Sequence, residues 1–114
     1  MLEKVVELTQ LYDFYGELLT DKQKLVMSLY LMQDFSIVEI AEHLSISRQA
    51  VHDNIAKSSK ILYAYEAKLG LLNRFKERET RLTAVSNALI KIERQLKQPI
   101  LGKIIDEIQD IAKV

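Results

Sequence analysis

Apolar residues recur at helical spacing along almost the whole chain. Leu2, Val5, Val6, Leu8, Leu11, Tyr12 and Tyr15 outline a first helix from about Leu2 to Tyr15, which Gly16 ends. Thr20 opens a second helix. Gln23, three residues on, completes a capping box, and Leu25, Val26, Leu29 and Tyr30 form the expected buried face. Gln33–Asp34 is a polar break. Ser36 and Glu39 make a second capping box, behind which Ile37, Ile40, Ala41 and Leu44 face inward. After a turn at Ser45–Ile46, Ser47 caps a fourth helix that meets no breaker before Gly70. Val51, Ile55, Ser58, Leu62, Tyr65 and Leu69 mark one side of it. The fifth helix runs from about Leu72 to Lys97 and stops before Pro99. Its Leu82, Val85, Leu89, Ile92 and Leu96 have the alternating three-four spacing of a bundle seam. Ile100 to Val114 forms a last amphipathic helix through Leu101, Ile104, Ile105, Ile108 and Ile111.

No alternating β-branched run bounded by turn residues occurs, so the expected fold is all-α. Residues 36–62 carry the pattern of a helix-turn-helix. Ala41 is the small residue where two helices cross, Leu44 and Ile46 flank the turn, and Val51 and Ile55 face back from the second helix. Ser45 stands where the turn favours Gly, because that position often needs a positive φ. An ordinary pair of packed helices would show the same inward residues. The predicted organisation is a helix-turn-helix domain over residues 1–70, with a long fourth helix, followed by a C-terminal helical hairpin or dimerisation extension over 71–114. Apolar residues on slightly more than one stripe of each C-terminal helix point to a homodimer.

Charge changes what the motif implies. Sixteen basic and sixteen acidic side chains cancel, whereas small nucleic-acid binders usually carry a basic excess. Residues 1–70 are net −3 and residues 71–114 net +3. Within 36–57, Glu39, Glu42 and Asp53 outnumber Arg48 and Lys57. If the motif reads duplex DNA, Arg48, Gln49 and His52 would do so from the first turns of the fourth helix, with Asn54 and Lys57 behind them. Asp53 would repel the phosphates. Positive charge concentrates instead in Arg74, Lys76, Arg78, Arg81, Lys91, Arg94 and Lys97. Arg74, Arg78 and Arg81 share one side at helical spacing and form a basic docking face for RNA or an acidic protein. A solvated face laced with pairs such as Glu77–Arg81 fits the same pattern and is narrowly favoured by the spacing alone.

Little supports catalysis. His43 and His52 are the only histidines; Glu39 and His43 share an i, i+4 relation but no further ligand is apparent, so no metal is expected. The serines have no base in a recognisable arrangement, no glycine-rich phosphate loop exists, and no cofactor is implied. Absence of cysteine excludes disulfides and fits a cytoplasmic protein. No apolar run of about 18 residues would span a membrane, and the start, MLEKVVELTQ, lacks the apolar stretch of a signal peptide.

Thr20-Asp21-Lys22-Gln23, Ile40-Ala41-Glu42-His43-Leu44, Ser47-Arg48-Gln49-Ala50-Val51-His52-Asp53 and Tyr65-Glu66, Lys68-Leu69-Gly70 together resemble the YlxM family. The motif half also resembles region four of sigma factors, a promoter-reading helix-turn-helix. The YlxM resemblance implies a regulatory role beside the signal recognition particle, through contact with the particle's GTPase protein or its RNA. It brings no catalytic residues. An effect on GTP hydrolysis would therefore act on a partner enzyme. The expectation is a non-enzymatic regulator of that pathway; the alternative is a DNA-binding transcriptional regulator.

Overall fold

The structure, a computed structural model, describes residues 2–96 and 99–113. Its elements are α1 (Leu2–Tyr15), a 3-10 turn (Gly16–Leu18), α2 (Asp21–Leu31), α3 (Ile37–Leu44), α4 (Arg48–Leu69), α5 (Leu71–Leu96) and α6 (Pro99–Ala112). No strand occurs among the described residues, so the fold is all-α. No helix among them is long and apolar enough to cross a membrane. The expected end of the fifth helix, Lys97, lies outside the described residues.

Residues Met1–Leu72 form one compact unit and Asn73–Val114 a second. In the first, α4 packs against α1, α2 and α3. Its core has two clusters. Leu8, Leu11, Tyr15, Leu19, Met27, Leu31, Leu62 and Leu72 make one. Val26, Ile40, Ala41 and Val51 make the other, and Tyr30 and Ile55 pack against both.

Local chemistry sets the helix starts. The Gln23 amide donates to Thr20 Oγ1 at 3.3 Å while the Gln23 side chain accepts the Thr20 N–H at 3.0 Å. Ser36 and Glu39 repeat the exchange at 3.1 and 3.0 Å. Ser47 Oγ accepts the Ala50 N–H at 3.0 Å. Each bond satisfies an amide that the first helical turn would leave without a partner. Gly16 follows α1 where a larger residue would be crowded: a Cβ there would meet the Tyr12 ring at 3.1 Å.

Three faces of the first unit differ from expectation, the first being that of α4, where Leu69 at the end of the expected stripe is exposed. In α2, Leu25 is 49% exposed, while Met27 and Leu31 are buried beside Val26. Met27 and Leu31 join one cluster and Val26 the other, so α2 is buried on two sides and Leu25 falls on neither. On α1, Val5 and Val6 are exposed and the buried line is Leu8, Leu11 and Tyr15.

In the second unit Pro99 is the first residue of α6, where its missing N–H would have had no helical acceptor. The seam of α5 is rotated from the heptad expectation. Val85 (49%), Ile92 (41%) and Leu96 (60%) are exposed, whereas Ser86 is buried between half-buried Leu82 and Leu89. On α6, Ile105 is buried, Leu101, Ile108 and Ala112 are half-buried, and Ile100, Ile104 and Ile111 are exposed. Each helix of this unit thus has a covered stripe and an open one.

Candidate nucleic-acid interface

The turn between α3 and α4 rests on Ser45, which adopts left-handed geometry, φ 56° and ψ 45°. Its N–H and that of Ile46 return to the end of α3, the latter to the Ala41 carbonyl at 3.0 Å. Buried Ala41 lets the two helices approach, and fully buried Val51 and Ile40 hold them together. The helix-turn-helix geometry is therefore present.

Its outward chemistry is less open than the sequence implied. Arg48, Gln49, His52 and Lys57 are exposed on α4. Gln49 Nε2, however, donates to Asp53 Oδ1 at 2.8 Å, and His52 Nδ1 lies 3.7 Å from the same oxygen. Asn54 is half-buried and its side-chain oxygen accepts the hydroxyl of fully buried Ser58 at 3.1 Å. It is tied toward the core and does not stand beside Lys57 as a free contact. On α3, Glu39 Oε1 is engaged by the Ser36 N–H, which, with the Ser36 hydroxyl, holds its carboxyl below the usual pKa. The His43 ring stands edge-on to Phe35, centroids 5.7 Å apart, so Glu39 and His43 turn to separate neighbours.

The basic face lies on α5. Arg74, Arg78 and Arg81 line one open hollow of about 460 Å³ with Glu77, Leu82 and Val85. Glu77 is the one acidic residue that lines it beside the three arginines. The Arg78 guanidinium lies 5.9 Å from the Phe75 ring centroid, within cation–π range. Glu77 accepts from Asn73 Nδ2 at 3.4 Å, and the Glu77–Arg81 ion pair that the spacing favoured is absent among the described residues. Guanidinium groups suit phosphate or carboxylate oxygens, and Leu82 and Val85 add an apolar wall to the hollow.

Residues 2–101 match the model of the UPF0122 family, described as "Putative helix-turn-helix protein, YlxM / p13 like". The chain belongs to the UPF0122 family. It is 48% identical over 98 residues to a UPF0122 protein of Bacillus cereus strain AH187, covering 86% of this chain and 88% of the relative. UPF0122 proteins of Bacillus anthracis strain A0248 and Bacillus thuringiensis subsp. konkukian strain 97-27 match to the same extent. The family description agrees with the helix-turn-helix seen here and supports a regulatory or nucleic-acid-binding role.

Two features of this UPF0122 chain escaped the sequence reading. The hold of Asp53 on Gln49 had a signal, the i, i+4 spacing at which Gln and Asp side chains meet on a helix. The bond from Tyr15 to Glu66 spans 51 residues and had none.

Proposed function

We propose that this UPF0122 chain is a non-enzymatic, cytoplasmic regulatory protein that docks through the basic face of α5. By its YlxM resemblance, the partner is the signal recognition particle, through its GTPase protein or its RNA. Residues 1–70 serve as the helix-turn-helix domain and residues 71–114 as a hairpin that carries the dock. The observation behind this reading is the hollow that Arg74, Arg78 and Arg81 line, set against a helix-turn-helix in which Asp53 holds Gln49, one of the candidate base readers. A pull-down from lysate, with and without nuclease, tests it. The expected result is recovery of the particle's protein or RNA by the wild type and by Arg48→Ala, and loss in Arg74→Glu/Arg78→Glu. Equal recovery by the double variant removes α5 as the dock.

Duplex DNA is the second reading, favoured by the motif geometry and by the exposure of Arg48, Gln49 and His52. Specific duplex binding that falls steeply with salt, without recovery of the particle, would reverse the order. The open apolar stripes of α5 and α6 also support a homodimer through the hairpin. Sedimentation showing only monomer at high micromolar concentration would exclude it.

A further inference from the structure

We infer that Asp53 determines the specificity of the helix-turn-helix by excluding duplex DNA from it. The start of α4 is otherwise well placed for an anion. Its first turn contains no acid, Arg48 leads it, and the helix dipole adds positive potential there. Gln49 and His52 supply donors of the kind that read base edges.

Asp53 cancels this arrangement in two ways. One oxygen, Oδ1, accepts the Gln49 amide at 2.8 Å and lies 3.7 Å from His52 Nδ1. Gln49 is therefore turned to a group on its own helix, and a DNA base must displace a formed hydrogen bond to engage it. The carboxylate is also exposed, as is the His52 ring beside it. A phosphate approaching this turn meets a negative charge, with exposed Glu39 and Glu42 on α3 adding the same sign within the motif. Affinity for duplex DNA depends on phosphate neutralisation, so a single carboxylate here carries disproportionate weight.

This inference builds on the reading that docking passes through α5. It is tested on duplex DNA alone, so the two fail separately. The full chain is titrated against a mixed-sequence DNA duplex by fluorescence anisotropy over a range of salt. Asp53→Asn retains size and an acceptor for Gln49 while removing the charge; Asp53→Lys inverts it. Circular dichroism checks that each variant keeps its fold, and at this exposed position both are expected to do so. The expected result is weak wild-type binding, an affinity gain of about tenfold or more in Asp53→Asn, a larger one with a steeper salt slope in Asp53→Lys, and reversal when Arg48→Ala is added to Asp53→Asn. Unchanged duplex affinity in both variants would overturn the inference. So would loss of binding in Asp53→Asn, which would make Asp53 a reader of a base amine.

Discussion

The Tyr15 hydroxyl donates to Glu66 Oε1 at 2.7 Å and its oxygen accepts the Leu71 N–H at 3.0 Å. The same carboxylate oxygen accepts the Leu72 N–H at 3.0 Å. Two side chains from α1 and α4 therefore satisfy the first two amides of α5, just after Gly70 has closed α4. Tyr15→Phe leaves a buried hydroxyl position empty and the Leu71 amide without this acceptor. It should cost about 1–2 kcal/mol in urea unfolding. Glu66→Gln keeps an acceptor oxygen and should cost less. A neutral Tyr15→Phe would show that the bond contributes nothing net.

Ser45 and Gly70 share left-handed backbone but carry different residues, with φ of 56° and 63°. Ser45→Gly removes a steric cost at a position already in that region and should raise stability by about 0.5 kcal/mol, the unfolded chain's greater freedom offsetting part of the gain. Gly70→Ala should lower it by about 1 kcal/mol. A Cβ at Gly70 would meet nothing within 4 Å, so that loss is conformational and not a clash. Thermal melts showing the same sign for both changes would refute this account.

The Ser36 backbone N–H and hydroxyl hold the Glu39 carboxyl below its ordinary pKa of 4.5. A carboxylate with a lowered folded pKa contributes stability above its unfolded value, and loses it as pH falls through the folded value. The stability gap between wild type and Glu39→Gln should therefore be constant at neutral pH and close on acidification below 4.5. Denaturant midpoints across that window check it, and a gap independent of pH would assign the capping bond no charge component.

Ser86 is buried, and its hydroxyl has no hydrogen-bond partner among the described residues. Ser86→Ala removes an unsatisfied polar group and should stabilise the chain by about 1 kcal/mol. Destabilisation instead would mean that the hydroxyl finds a partner in solution.

What could be read from sequence follows the range of the interaction. Thr20, Ser36 and Ser47 act on amides three residues away, and all three caps were legible. Ala41, Leu44, Ile46, Val51 and Ile55 were legible for the same reason, since a helix-turn-helix packs residues close in sequence. The seam of α5 was not. Leu82, Val85, Leu89, Ile92 and Leu96 have the right spacing, but α5 bears two apolar stripes and its partner α6 covers only one. Hydropathy does not say which, and a small polar residue, Ser86, lies on the covered side. Leu25 was misplaced because α2 serves two clusters at once, a property of its surroundings and not of its own pattern. At the candidate site, the three arginines of α5 were legible from spacing, whereas the absence of a Glu77–Arg81 pair depended on rotamers.

Tyr30 and Ile55 touch both clusters of the first unit, and α4 runs through both by way of Val51 and Leu62. The helix-turn-helix is thus not a transplantable part. Excised residues 36–62 would lose Val26, and Tyr30 with it, and two short helices alone are marginal in water. Melting at the start of α4 and melting at α1 should be one event, so damage at either end of this unit would silence the other.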